Sequence, residues 1–123
     1  VEKPLYGLYE LTSVIDYRRG HPKNHLYITE SMIDCLLLWQ AGYYAVALNG
    51  TGSKLQFEQL NKLPVRHYIL ATDNDEAGKR AREKLRKNLK GKLITEIDFP
   101  ITRKDIGECT QEEIQHIKQW EVF

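Results

Sequence analysis

Cysteine is scarce in this chain, with two in 123 residues. Cys35 falls in an apolar helical segment and Cys109 in a loop, a pattern that makes neither a disulfide framework nor a zinc motif. The expectation is therefore a reduced, cytoplasmic setting. Long apolar runs are missing as well: no stretch approaches the roughly 20 residues that span a bilayer, so no membrane partner is expected. The opening Val1-Glu2-Lys3-Pro4 is polar and lacks the apolar segment of a signal peptide. It also lacks an initiator methionine, which sets the expectation of a piece cut from something longer. Charge of one sign is not in excess, since 18 basic and 17 acidic residues leave a net +1. Global charge thus argues neither for nor against nucleic acid. Four histidines (His21, His25, His67, His116) have no ligand spacing and are expected in local or surface roles. There is no internal repeat or low-complexity tract, and the one linker-like turn is at residues 18–22. The length bounds the chain to one small domain with a single core.

What is present is acid at the ends of apolar runs. Residues 65–71 are β-branched and aromatic enough for a buried strand, and Ala71-Thr72-Asp73-Asn74-Asp75 follows it into a long helix. Asp73 and Asp75 then stand together at the carboxyl end of a strand, where open α/β sheets bind ligands. Two close carboxylates repel unless a positive charge sits between them, and Mg²⁺ suits carboxylate oxygen. The plainer reading is a polar turn with Asp75 capping the helix. A second acidic pair lies upstream. His25-Leu26-Tyr27-Ile28-Thr29 reads as a strand, Glu30 stands at its end, and Asp34 lies one helical turn further on. Met32, Cys35, Leu36 and Trp39 are expected to form the apolar face of that helix. The plainer reading here is that Glu30 complements a helix N-terminus and Asp34 is solvated.

Three further segments complete the pattern. Residues 92–99 alternate like a half-exposed strand, and Asp105 and Glu108 lie in the loop before a last helix over 111–120 with Ile114 and Ile117 inward. Residues 43–48 read as a strand leading to Asn49-Gly50-Thr51-Gly52-Ser53 and a helix over 54–61. That loop reads equally as a phosphate-binding turn through Gly50, Thr51 and Gly52, or as a tight turn with Ser53 as N-cap. From Lys79 to Lys92 eight basic residues face one acid, around an apolar stripe of Ala77, Ala81, Leu85 and Leu89. This basic face is either solvated or a phosphate-backbone contact, with Lys79, Arg80 and Lys84 the candidates beside Asp75. Gly42 and Gly91 sit where helices should stop. The order is an N-terminal segment, partly helical over 5–18, then β-α-β-α-β-α-β-α. That order predicts an α/β fold with a mostly parallel sheet covered by helices.

A strand ending in Glu30, Asp34 four positions on, a glycine loop, and Asp73-x-Asp75 on a later strand together resemble the Toprim domain, shared by primases, topoisomerases and some nucleases. Asp73-Asn74-Asp75-Glu76-Ala77-Gly78-Lys79-Arg80-Ala81 is similar to the Asp-x-Asp-x-Ala-Gly-x-x-Ala run of bacterial and phage primases. Lys104-Asp105-Ile106-Gly107-Glu108-Cys109 resembles the Lys-Asp-Ala-Asn-Glu segment of phage-type primase-helicases, and Lys3-Pro4-Leu5-Tyr6-Gly7-Leu8-Tyr9 resembles the link that enters the primase Toprim domain. The resemblance covers roughly residues 3–115. The chain departs from the pattern at Ser31, where the family has Gly, and at Gly107, where bacterial primases often carry a second Asp; Glu108 is the candidate substitute.

The resemblance implies a Toprim (Rossmann-like) fold of about four mostly parallel strands, with residues 1–22 a linker from a preceding subdomain and 23–123 the catalytic domain. It implies a DNA primase performing metal-dependent nucleotidyl transfer on single-stranded DNA template with ribonucleoside triphosphates. Asp73 and Asp75, with Asp105 or Asp34, would hold one or two Mg²⁺ or Mn²⁺ ions. Glu30 would be a ligand or the base at the attacking hydroxyl. The resemblance tips the glycine loop towards function and implies a replicative helicase as a partner reached through domains outside this chain. A fragment of this kind is expected to be weakly active or inactive alone. Two alternatives stay open: a stand-alone Toprim nuclease or RNA-maturation enzyme, and a non-catalytic module that binds nucleic acid.

Overall fold

The three strands at His25–Thr29, Ala45–Ala47 and His67–Leu70 are buried on both faces. Alternate side chains therefore feed two core layers, one on each side of the sheet, where the chain length implies a single core. The computed structural model describes residues 4–14, 25–50 and 52–123. Helix α1 (Leu8–Val14) precedes β1 (His25–Thr29), α2 (Met32–Gln40), β2 (Ala45–Ala47), α3 (Lys54–Lys62), β3 (His67–Leu70), α4 (Glu76–Asn88) and β4 (Leu93–Ile97). A 3₁₀ turn at Ile106–Glu108, α5 (Gln111–Gln115), a second 3₁₀ turn at Ile117–Trp120 and β5 (Glu121–Val122) close the chain. The sheet order is β2-β1-β3-β4-β5, with the first four strands parallel and β5 antiparallel to β4.

One face of the sheet presents Leu26, Ile28, Val46, Leu48, Tyr68 and Leu70 to Leu5, Leu11, Phe57, Leu60, Ala81 and Leu85. The other presents Tyr27, Ala45, Ala47, Ile69 and Ile97 to Cys35, Leu38, Ile106, Ile114 and Ile117. Helix α4 is stapled to the first core by its i+4 stripe, and truncating a fully buried side chain such as Leu85 to alanine costs about 2–5 kcal/mol. Ser53 caps α3 in a reciprocal pair with Gln56, as its place before the helix predicts. Gly42, at φ +91°, stands just past α2, where a helix stop needs a left-handed residue.

Three differences from the sequence expectation, in the second helix, the last helix and the sheet edge, have physical causes. Helix α2 buries Asp34, Cys35 and Leu38, while Met32 and Leu36 are 43% and 48% exposed. The inward arc is rotated by about one residue because Asp34 is drawn in by the Gly107 amide. The last helix breaks at His116, whose φ of −111° and ψ of 28° turn the chain into a 3₁₀ segment. That turn delivers a fifth strand, where Glu121 pairs with Ile97 and Val122 with Glu96. In the segment over 1–22, the described Leu5 and Leu11 pack into the first core, and Tyr6 bridges Ala47; residues 15–24 lie outside the described set.

Candidate metal centre

The order β2-β1-β3 makes β1 and β3 the place where crossovers diverge, α2 leading to one side and α4 to the other. Their carboxyl ends therefore open a crevice, the usual ligand position in an open α/β sheet. Glu30 leaves β1 and Asp73 follows β3 there, and the Asp73 amide donates to Glu30 Oε1 at 2.9 Å. This bond ties the two strand ends through a candidate site residue.

Each remaining acid is held by its own element. Asp75 is the N-cap of α4 and accepts from the Gly78 amide at 2.8 Å, so the capping role and the acidic cluster use the same residue. Ser31 caps α2 through the Asp34 amide, which gives the serine at this family-variant position a local role. Asp34 is only 3% exposed and its Oδ1 accepts from the Gly107 amide at 3.1 Å. Asp105 caps the 3₁₀ turn through the Glu108 amide. The 103–108 loop is fastened to the acidic turn by the Asn74 amide, which donates to the Lys104 carbonyl at 2.6 Å.

The carboxylates form two triads among the described residues, Glu30–Asp73–Asp75 and Asp34–Asp73–Asp105, each with one oxygen per residue within 4.8 Å of the others. Asp73 belongs to both. Asp34 Oδ2 and Asp73 Oδ1 are buried without a hydrogen-bond partner. Such orphaned acceptors cost free energy unless a cation or donor meets them. Burial first, and then the charges of Glu30, Asp34, Asp105 and Asp75, push Asp73 up to about 7. Burial and Asp105 push Asp34 up to about 6. Burial also lifts Glu30, with Asp75 adding to the effect and the Asp73 amide opposing it. Crowded oxygen donors with unmet lone pairs fit a hard divalent cation.

The other expected residues fall in different places. Glu108, the candidate substitute, stands in neither triad, and its Oε1 accepts from the Lys104 amide at 2.6 Å. A Cβ at Gly107 would stand 3.3 Å from Asp105 Oδ1 and 3.5 Å from Asp34 Oδ1, so this glycine lies directly against the acids. In the glycine loop, Gly50 and Gly52 have φ of +150° and +101°, and Thr51 lies outside the described residues. The loop leaves the sheet beside the site, with the Asn49 amide donating to the Glu30 carbonyl at 2.6 Å. Lys79 and Arg80 are exposed on the first turns of α4, and Lys84 reaches the Gly52 carbonyl at 3.3 Å.

Two residues beyond the expected set bear on the centre. Lys104 places Nζ 3.8 Å from Asp75 Oδ2. Arg82, counted among the outward basic residues of α4, turns inward to Thr72 and Glu96. The signal was its position, four residues after Gly78 and three before Leu85, on the border of the buried stripe. The histidines bear out a local role where described: His25 and His67 set their Nδ1 atoms 2.8 Å apart, and His67 Nε2 lies 2.7 Å from Thr95 Oγ1.

The Toprim-like family profile matches residues 27–110, more than half of the chain. No curated protein matches it. Among solved structures the chain is similar to the primase fragment of the bacteriophage T7 primase-helicase, with a TM-score of 0.63 and 25% identity over 77% of this chain and 42% of that one. It is also similar to the zinc-binding and RNA polymerase domains of the Aquifex aeolicus primase, with a TM-score of 0.75 and 22% identity over 96% of this chain and 30% of that one. A third likeness is to a DnaG primase catalytic domain bound to single-stranded DNA, with a TM-score of 0.69 and 23% identity over 96% of this chain and 38% of that one. The chain thus spans less than half the length of each of these three structures.

Proposed function

The chain belongs to the Toprim-like family, and from that premise we propose that it is the catalytic Toprim domain of a DNA primase. The observation that carries the reading is the pair of carboxylate triads sharing Asp73 at the β1/β3 crevice. Residues 23–123 form the catalytic unit in this reading, and 1–22 lead in from a preceding subdomain. Asp73 and Asp75, with Asp34 and Asp105, would hold Mg²⁺ or Mn²⁺, which would supply positive charge against the phosphates of a ribonucleoside triphosphate. Glu30 would take the proton of a primer 3′-hydroxyl or join the ligand set. The hydroxyl oxygen then bonds to the α-phosphorus and pyrophosphate leaves. Exposed Lys79 and Arg80, beside Asp75, and Lys84, beside the Gly50–Gly52 loop, offer charge to a phosphate backbone or triphosphate. Single-stranded DNA is the template class in this reading, in keeping with the single-stranded DNA bound by the similar DnaG catalytic domain.

The same acids would serve a nuclease, so the test must separate joining from cutting. The chain is incubated with Mn²⁺ and labelled single-stranded DNA, with and without the four ribonucleoside triphosphates, alone and joined to a preceding primase subdomain. The proposal predicts no cleavage in any arm, little primer synthesis by the 123-residue chain alone, and triphosphate-dependent oligoribonucleotides from the joined protein. Cleavage of DNA without triphosphates would favour the nuclease and overturn the proposal.

A further inference from the structure

Arg82 is the most fully engaged side chain near the acidic crevice that touches none of its carboxylates. Its side chain is 11% exposed. Nε donates to Thr72 Oγ1 at 2.9 Å and Nη2 to the Thr72 carbonyl at 2.7 Å. Nη1 donates to Glu96 Oε1 and to the Ile97 carbonyl, both at 2.9 Å. Glu96 is itself fixed from its other oxygen by Arg86, at 2.7 Å, so the guanidinium is oriented from β4 before it meets Thr72. Thr72 is fully buried, and its own hydroxyl donates a hydrogen bond to the Gly78 carbonyl at 2.8 Å. One planar fork thus grips both oxygens of the residue that immediately precedes Asp73.

Asp73 needs such a grip. Four other carboxylates share the two triads with it, and their like charge opposes holding an ionised Asp73 among them. Its backbone is held by the Glu30 carboxylate at the amide and by the close approach of Gly78. Arg82 supplies the remaining hold, on the residue before it. We infer that Arg82 is a positioning residue for the metal centre, acting through Thr72 to keep Asp73 where both triads can use it. The inference rests on the proposed metal centre. It requires the geometry of the fork and not its charge alone, because a lysine ammonium keeps the charge but cannot serve these four acceptors at once.

The test is a double-mutant cycle on Mn²⁺ affinity, read by titration calorimetry and by the electron paramagnetic resonance of the bound ion, with thermal melts as a check on folding. Groups that orient a metal ligand from behind are typically worth 10–100-fold in affinity. Arg82→Lys is expected to weaken Mn²⁺ about tenfold, whereas Lys87→Arg, on the exposed face of the same helix, stays within about twofold. In an Asp73→Asn background, Arg82→Lys is expected to add no further loss, because its effect runs through Asp73. Should Arg82→Lys lack a cooperative melt, Thr72→Val, which removes the Nε acceptor, takes its place in the same cycle. Unchanged Mn²⁺ affinity in Arg82→Lys, or an equal loss with and without Asp73, overturns the positioning role while leaving the metal centre standing. Failure of the native chain to bind Mn²⁺ overturns the metal centre and the positioning role together.

Discussion

Asp73 shows how much of the site was legible residue by residue. Its spacing from Asp75 and its place after an apolar run marked it as a candidate, and so did Glu30 after β1. Burial of Asp34 was not legible, since it depends on the Gly107 amide 73 residues away. Arg82 was hidden in a run of like charges, which says nothing about which member turns inward. The crowding of Asp73 also makes a pH prediction. Its carboxyl rises from the ordinary 3.8 to about 7 in the folded chain, so between those values the native state holds a proton that the unfolded state has lost. Stability from this group is therefore full below pH 4 and is lost as pH rises through about 7. Asp34 acts in the same direction. His67, lowered by burial, acts oppositely, because below pH 6.5 the unfolded chain takes its proton first. Comparing native chain with Asp73→Asn cancels the His67 contribution. Without divalent metal, Asp73→Asn is expected to stabilise the chain by about 1 kcal/mol at pH 8, after discounting for solvent screening, and by close to nothing at pH 4. Chemical denaturation in chelator at both pH values checks this; an equal effect at the two would contradict it.

Elements of regular pattern and their caps were legible, and the long-range contacts at their junctions were not. Strand β1 and the helices α3 and α4 follow from periodicity and caps, and Ser53 takes the capping place expected of it. Helix α2 has apolar residues on most of its circumference, so its pattern could not say that Cys35 and Leu38 face in while Leu36 faces out. Strand β5 is two residues long and exists by pairing with β4, a long-range cause that no local window carries. The junction of β3 with α4 is the tightest of these contacts. A Cβ on Gly78 would lie 1.8 Å from the Asp73 carbonyl oxygen, backbone against helix, with no flexible group to move aside. Gly78→Ala is therefore expected to destabilise the chain by about 3 kcal/mol or more, at the upper end of overpacking costs. Thermal melts of that variant beside Ala77→Gly measure it, and a Gly78→Ala loss under about 1 kcal/mol would contradict the account of this junction.

At the scale of the whole molecule, alternating strands and helices announced a parallel α/β sheet, and the parallel pairing of the first four strands brings their carboxyl ends to one edge. The strand order itself sets function, because β1 and β3 become neighbours only when β2 is placed outside them. That order joins Glu30 to Asp73 and creates triads from residues up to 71 positions apart, Asp34 to Asp105. Everything proposed for this chain depends on those triads holding a divalent cation. The most direct measurement is calorimetric titration of Mn²⁺ into the native chain and into the Asp73→Ala/Asp75→Ala double variant at pH 8. The account predicts saturable binding by the native chain and a loss of at least about tenfold in the variant, whose remaining acids make no complete triad. Equal binding by the two proteins, or none by either, would contradict it.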